Sequence, residues 1–118
     1  DFAIMVTDSL RVKSCEPGGR YDLGGHAIEV GKDGLARLKE SGTIAGSTLK
    51  MNIGLKILVE NALVPFDAAL GACTINPARC LREDDRKGKL SAGYDADIVV
   101  LSNEYDVLQT YCRGTRQI

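Results

Sequence analysis

One carboxylate stands directly after an apolar run near the start of the sequence. Phe2–Val6 is continuously apolar, and Asp8 follows it after a single threonine. In α/β proteins, functional side chains lie just past the C-terminal ends of parallel strands. A carboxylate placed there can act as a general base and then as a general acid. Asp8 is therefore the first catalytic candidate, and the alternative is that it only caps a turn, as aspartate often does.

A second candidate is the run Ile44-Ala45-Gly46, which leads through Ser47-Thr48 toward a predicted helix. Ser47 is a suitable N-cap for that helix. The free N–H groups and the dipole of a helix N-terminus favour polar or anionic ligands, and glycine lets a ligand approach the backbone. Ile44, Ala45 and Gly46 therefore form a candidate binding loop, with an ordinary capped helix start as the alternative. The run is not a P-loop, because Gly-Lys-Ser/Thr is lacking.

Residues that could bind a metal are few and scattered. The one histidine, His26, enters a predicted hairpin and has no Cys, His or Glu at metal-ligand spacing. The four cysteines form no CxxC pair: they are Cys15, Cys73, Cys80 and Cys112. Reduced thiols in a cytoplasmic protein are the simplest interpretation.

Charge and hydropathy exclude two classes of partner. The 118 residues include 15 Lys plus Arg and 16 Asp plus Glu, which gives a net charge of −1. A nucleic-acid-binding protein needs clustered positive charge, so no nucleic-acid partner is expected. No apolar run reaches the roughly eighteen residues of a membrane span, so no membrane partner is expected either.

The pattern along the chain predicts a mixture of strands and helices. The predicted elements are a strand at Phe2–Val6, a loop over Arg11–Gly25, a hairpin of Ala27–Val30 and Leu35–Leu38, a mostly buried helix after Ser47, a second helix from Pro65, a third from Asn76 through Leu81, and strands at Ala96–Leu101 and Val107–Cys112. The first strand is typical of one buried on both faces of a parallel sheet. Because no partner strand is near it in the sequence, we expect this chain to be the C-terminal piece of a larger protein.

Five motifs occur together in one order. They are VTDSL at Val6–Leu10, YDLGG at Tyr21–Gly25, GTIAGSTLKM at Gly42–Met51, INPAR at Ile75–Arg79 and KLSAGYDADIVVL at Lys89–Leu101. In this order they resemble the C-terminal third of the N-acetylglucosamine-6-phosphate deacetylase family, which is part of the amidohydrolase superfamily. The last motif is common to many amidohydrolases, whereas the combination of the first three is more specific.

The resemblance implies an α/β fold. The chain would be the C-terminal fragment of a metal-dependent-hydrolase TIM barrel, with the C-terminal strands of a small β-sandwich domain beside it. Residues 1–88 would hold the last barrel strand, the hairpin and the helices, and residues 89–118 the strands of the sandwich. A complete (β/α)8 barrel needs about 250 residues, so this chain cannot contain one.

The same resemblance implies hydrolysis of N-acetylglucosamine 6-phosphate to glucosamine 6-phosphate and acetate by a cytoplasmic homodimer. Asp8 falls on the family's catalytic aspartate, which takes a proton from metal-bound water and later delivers one to the leaving amine. Ile44, Ala45 and Gly46 fall on the loop that contacts the substrate. The divalent metal, of the zinc or iron class, is held in the family by a glutamate and two histidines from earlier strands. This chain alone is therefore expected to bind no metal and to be inactive.

Two alternatives stay open. One is another amidohydrolase, such as a deaminase or a dihydroorotase-like enzyme, and GTIAGSTLKM with the hairpin before it argues against that assignment. The other is a non-catalytic, β-rich interaction module. A glutamate and two histidines spread over barrel strands upstream would favour the deacetylase.

Overall fold

The computed structural model describes residues 2–14 and 20–118, so Cys15 and the glycine-rich centre of the predicted loop lie outside the described residues. The chain divides into two compact units. Thr7–Lys50 forms one, called the four-stranded unit here. Met51–Ile118 and the residues before Thr7 form the other, called the helical unit.

The four-stranded unit is an antiparallel sheet whose strands follow one another in sequence order. Its strands are β1 (Arg20–Leu23), β2 (His26–Val30), β3 (Leu35–Leu38) and β4 (Ile44–Ser47), and a short 3-10 helix at Arg11–Ser14 precedes them. The hairpin predicted around Asp33-Gly34 is confirmed, because β2 and β3 pair in antiparallel register.

Strand β1 lies where the sequence predicted only a loop. It forms a hairpin with β2, in which Leu23 pairs with His26. Gly24 and Gly25 make the connecting turn with φ values of +61° and +89°. Positive φ at both central residues is what a two-residue type I′ turn requires, and glycine adopts it without steric cost. The paired glycines in YDLGG therefore form the turn that joins β1 to β2.

One apolar cluster forms the core of the four-stranded unit. Its buried members are Val12, Ile28, Val30 and Ala36, with Leu10, Tyr21, Leu38 and Ala45 packed around them. Strand β2 shows why the sheet has one buried face. Ile28 and Val30 are 1% and 4% exposed, while Glu29 between them is exposed, as the two-residue period of a strand dictates.

The helical unit contains three helical segments and a second, three-stranded sheet. The helices are α1 (Met51–Lys56), which continues as a π-helix at Ile57–Asn61, then α2 (Phe66–Cys73) and α3 (Ile75–Cys80). The strands β5 (Ile98–Leu101), β6 (Val107–Cys112) and β7 (Thr115–Arg116) pair in sequence order. The prediction for Val107–Cys112 is confirmed, and Pro65 immediately precedes α2, as expected for a residue without an N–H to donate.

The segment Phe2–Val6 differs from its prediction, because it forms no strand ladder with any described residue. Its backbone is held by α2 and α3 instead: the Met5 N–H donates to the Ala72 carbonyl at 3.0 Å, and the Asn76 side-chain amide donates to the Ala3 carbonyl at 2.9 Å. A strand exists only when a neighbour completes its hydrogen bonds.

Burial in the helical unit also differs from its prediction. The helix expected to be mostly buried leaves Met51, Ile53 and Ile57 at least one-third exposed. Its core is made chiefly of small residues: Gly54, Leu55, Ala69, Ala72 and Ala78 are the buried residues of its helices. Along residues 2–14 and 20–118, no helix has both the length and the apolar character needed to cross a membrane.

Candidate functional site

The segment Thr7–Leu10 is bound to the end of strand β4. The Ser47 N–H donates to the Asp8 carbonyl at 2.9 Å, and the Leu10 N–H donates to the Ser47 carbonyl at 2.9 Å. Ser9 and Ser47 form an isolated parallel bridge between these bonds. The two candidates singled out in the sequence, Asp8 and the run before Ser47, are thus brought together.

Asp8 combines a constrained backbone with an unengaged side chain. Its φ is +47°, in the left-handed region that few non-glycine residues adopt, although aspartate is among those enriched there. The residue is exposed, and within the described part of the chain no hydrogen bond or ion pair engages its carboxylate. The turn-cap alternative needs that carboxylate to accept from a backbone N–H. The nearby Ser9 N–H instead donates to Thr7 Oγ1 at 3.2 Å.

Gly46 is buried directly against the Asp8 segment. A Cβ added to this residue would lie 3.1 Å from the Asp8 carbonyl oxygen and 2.9 Å from Leu10 Cγ. Its φ of +135° also lies in a region that side chains disfavour. Glycine is therefore required here for two independent reasons: the close approach of β4 to Thr7–Leu10 and the backbone conformation of Gly46 itself.

The other two candidates on β4 lie in different surroundings. Ile44 is 59% exposed, so its side chain is open to solvent. Ala45 is half-buried and packs on the apolar cluster of the sheet. The register between β3 and β4 shifts at Ala36 and Arg37, opposite these residues, which marks a bulge or similar irregularity.

The prediction that Ser47 caps a helix is wrong. Ser47 is the last residue of β4, and α1 begins only at Met51. The Ser47 hydroxyl donates to the Thr7 carbonyl and accepts from the Leu49 N–H at 3.2 Å. The argument from a helix dipole therefore does not apply to Gly46. Local sequence could not reveal this, because the partner of Ser47 is 40 residues away in the chain.

The described residues do not make a metal site by themselves. Within residues 2–14 and 20–118, no three His, Cys, Asp or Glu side chains lie close enough together to hold a metal ion. His26 is exposed at the start of β2. A catalytic zinc site needs three protein ligands and an open position, so the donor set present does not fit such an ion.

A nucleophilic role for the Cys73 thiol is not supported either. Burial raises the pKa of the Cys73 thiol, whereas a reactive cysteine needs a lowered pKa. The Cys73 sulfur lies 3.6 Å from the sulfur of Met5, in an apolar setting. Cys73 is therefore a packing residue.

The charged residues that follow α3 form ion pairs with residues just before the start of β5. Lys87 forms ion pairs with Asp95, at 2.8 Å, and with Asp97. These bonds lower the pKa of both carboxyl groups, and Asp97 also accepts from the Arg113 N–H at 2.8 Å. Asp95 and Asp97 thus connect the turn after α3 to the start of β5, and their carboxylates are already engaged.

Comparison with known proteins places the chain in a family. The sequence profile of the Amidohydrolase family matches residues 2–116. The N-acetylglucosamine-6-phosphate deacetylase of Bacillus subtilis (strain 168) is 38% identical over 111 residues, which are 94% of this chain and 27% of that protein. The chain therefore spans about a quarter of the length of the curated relatives it matches.

Solved structures agree in fold. The crystal structure of N-acetylglucosamine-6-phosphate deacetylase from Pasteurella multocida matches 97% of this chain and 29% of its own with a TM-score of 0.88 at 24% identity. A mutant of the deacetylase from Mycobacterium smegmatis, in complex with N-acetyl-D-glucosamine-6-phosphate, matches 96% of this chain and 30% of its own with a TM-score of 0.81 at 32% identity. The chain belongs to the amidohydrolase family, and its mixture of helices and strands is part of that family's fold.

Proposed function

We propose that the protein containing this chain hydrolyses the acetamide of N-acetylglucosamine 6-phosphate to give glucosamine 6-phosphate and acetate. Family membership and the names of the relatives support this activity. The structural observation that carries it is the pairing of Thr7–Leu10 with β4, which sets Gly46 against an Asp8 whose carboxylate no described residue engages. Since the chain spans 27% of its relatives, the other parts of the active site would come from residues outside it.

Asp8 is assigned the proton transfers. Its carboxylate accepts a proton as water attacks the amide carbon, so that a C–O bond forms. It then gives that proton to the nitrogen as the C–N bond breaks, and the amine leaves neutral. General acid–base catalysis by one group in both steps needs a side chain with no competing partner, as seen for Asp8 among the described residues.

Ile44, Ala45 and Gly46 are assigned to substrate contact. Ile44 offers an exposed apolar side chain at the start of β4, and Gly46 keeps this strand against the Asp8 segment. The barrel assignment of residues 1–88 and the sandwich assignment of residues 89–118 belong to the same proposal. The proposal also includes a divalent metal of the zinc or iron class, whose ligands would lie outside the described residues. It further includes a homodimeric assembly and a cytoplasmic location.

The test is Asp8→Asn in the full-length protein. The amide matches the carboxylate in size but cannot accept the proton, so we expect kcat to fall by about 10²–10⁴-fold with little change in KM. Asp22→Asn is the matched control, because Asp22 is an exposed aspartate of the same unit whose one partner among the described residues is the Gly25 N–H of a turn. It should leave kcat unchanged. Retention of more than about a tenth of the rate by Asp8→Asn would remove Asp8 from the mechanism, since this is only about 1.4 kcal/mol of barrier.

The substrate panel separates the alternatives. The panel offers metal-loaded wild-type protein four compounds in turn: N-acetylglucosamine 6-phosphate, N-acetylglucosamine, dihydroorotate and an amino-heterocycle. Preference for the phosphorylated sugar supports the proposal. Turnover of a cyclic amide or release of ammonia would assign another amidohydrolase, and a folded protein that turns over none of them would favour a non-catalytic module.

A further inference from the structure

Ser47 makes hydrogen bonds to both peptide groups that flank Asp8. Its hydroxyl donates to the Thr7 carbonyl, which belongs to the peptide group before Asp8. Its N–H donates to the Asp8 carbonyl at 2.9 Å, which belongs to the peptide group after it. Ser47 therefore holds both peptide planes next to Asp8, and the rotation of these two planes relative to each other defines the backbone conformation of Asp8.

That conformation needs support. A non-glycine residue with a φ of +47° crowds its own Cβ, and such residues persist only where the surroundings over-determine them. The direction of the Cα–Cβ bond, and so the position of the carboxylate, follows from this backbone conformation. The Thr7 hydroxyl is occupied elsewhere, because it accepts from the Ser9 N–H.

Only one of these bonds depends on the identity of residue 47. Any residue other than proline could provide the N–H for the Asp8 carbonyl, but the bond to the Thr7 carbonyl requires a side-chain donor. The hydroxyl itself is fixed in place, since it also accepts from the Leu49 N–H at 3.2 Å.

We infer that Ser47 is a positioning residue, whose hydroxyl holds the Asp8 backbone in its left-handed conformation and thereby aims the carboxylate at the reacting amide. Ser47 itself does not touch the substrate. The inference rests on the proposed function, because the carboxylate has a reaction to serve only if Asp8 transfers protons.

Thr48 provides a matched comparison in the same unit. Its hydroxyl donates to the Gly34 carbonyl at 2.9 Å, a bond of the same type to a carbonyl that does not belong to the Asp8 segment. Both residues are half-buried. Ser47→Ala and Thr48→Val each remove one hydroxyl-to-carbonyl bond, and only the first loosens Asp8.

The experiment compares these variants in the full-length, metal-loaded protein. We expect Ser47→Ala to lower kcat by about 10–100-fold, since a misplacement near 1 Å of a catalytic group has effects of this size, and to leave KM within about threefold. Ser47→Thr retains the hydroxyl and should recover most of the rate. Thr48→Val should also lower the thermal midpoint, because it removes a hydroxyl-to-carbonyl bond, yet keep kcat within about twofold.

Amide hydrogen exchange gives a readout that does not depend on turnover. In Ser47→Ala, the N–H groups of Ser47 and Leu10 should exchange faster than in the wild type, whereas Thr48→Val should leave both unchanged. Unchanged exchange in Ser47→Ala, an unchanged kcat, or an equal loss of kcat in Thr48→Val would each overturn the inference. If the wild type turned over no amide, the proposed function would be wrong. The hydrogen-exchange rates of the Ser47 and Leu10 N–H groups would then be the remaining test of whether Ser47 holds the Asp8 backbone.

Discussion

The two units of this chain bury their apolar residues in different ways. The four-stranded unit encloses branched side chains, and Ile28 is the largest fully buried side chain among the described residues. The helical unit packs its helices chiefly through alanine and glycine, with Leu55 as the one large buried side chain of its described helices, and leaves many larger side chains open to solvent. Examples are Phe2 at 92% exposed, Leu63 at 81%, Leu81 at 73% and Leu90 at 84%.

This difference indicates where stability resides within the chain. Burial of branched side chains is worth roughly 1.5–3 kcal/mol each, whereas an alanine contributes far less apolar area. The proposed catalytic residue and its neighbours on β4 all belong to the unit whose core is the cluster of Val12, Ile28, Val30 and Ala36. The left-handed conformation of Asp8 is held there by hydrogen bonds between its segment and β4.

The largest expected effect comes from opening the core of the four-stranded unit. In the 118-residue chain, Ile28→Ala removes the side chain that is 1% exposed and leaves a cavity. We expect a loss of about 2–5 kcal/mol in the free energy of unfolding, measured by urea denaturation followed by circular dichroism.

Leu81→Ala is the counterpart in the helical unit. Because Leu81 is 73% exposed, its truncation should change the free energy of unfolding by no more than about 0.5 kcal/mol. Equal losses in the two variants would show that the contrast between the units is wrong.

A smaller effect is expected from adding one methyl group to a glycine of each unit. Gly46→Ala would bring a Cβ to 2.9 Å from Leu10 Cγ and 3.1 Å from the Asp8 carbonyl, so we expect a loss of about 1–3 kcal/mol. In α2, a Cβ at Gly71 would meet its nearest atoms at 3.9 Å, which is ordinary contact. Gly71→Ala should therefore stabilise the chain by up to about 1 kcal/mol through helix propensity.

The thermal midpoints of Gly46→Ala and Gly71→Ala, measured side by side, show whether each substitution stabilises or destabilises the chain. Gly42→Ala serves as a control for backbone strain alone, because Gly42 has a φ of +70° with no atom within 4 Å of an added Cβ. If Gly42→Ala were as harmful as Gly46→Ala, the close approach of β4 to Asp8 would not be the cause.

The smallest expected effect concerns the exposed ion pairs of the helical unit. Lys87 lowers the pKa of Asp95 and of Asp97 below the ordinary value of 3.8. A carboxyl group whose pKa is lower in the folded state adds stability above its unfolded pKa, and this stability is lost as pH falls through the folded value. Lys87→Met should therefore flatten the acid limb of the stability profile, and added salt should have a similar effect.

Carbon NMR titration of the side-chain carboxyl groups checks this directly. In Lys87→Met the pKa values of Asp95 and Asp97 should rise. Asp33 in the four-stranded unit should keep its pKa of about 2, because the bidentate bond from Arg37 sets it. Lys32→Met, which removes an exposed lysine of the four-stranded unit, should change none of the three values. A pKa of Asp95 that stayed low in Lys87→Met would assign its shift to another group.

The site was predictable from the sequence only in part. Motif order pointed to Asp8 and to Ile44-Ala45-Gly46, and the structure brings Gly46 against Asp8. The same reasoning made Ser47 a helix cap, because serine before a helical pattern is typical of one. Its real partners are Thr7 and Asp8, and no local pattern indicates a hydrogen bond between residues 40 apart in the chain.

The sequence by itself determined the elements whose stability is local. The turn at Asp33-Gly34 specifies a hairpin because positive φ is inexpensive for glycine, and Pro65 marks a helix start because it lacks an N–H. Apolar alternation determined which face of β2 is buried.

Only the tertiary structure decided how distant segments meet. It gave Asp8 its left-handed backbone through Ser47, made Gly46 indispensable, and joined Lys87 to Asp95 and Asp97. The first two features depend on contacts between segments far apart in sequence, and the entropy of closing such loops is offset only by the whole fold. Lys87 and Asp97 are closer, 10 residues apart, but the loop between them is still longer than a single turn. Turn chemistry and periodicity act over a few residues, so they carry no information about which distant partner a strand end will meet.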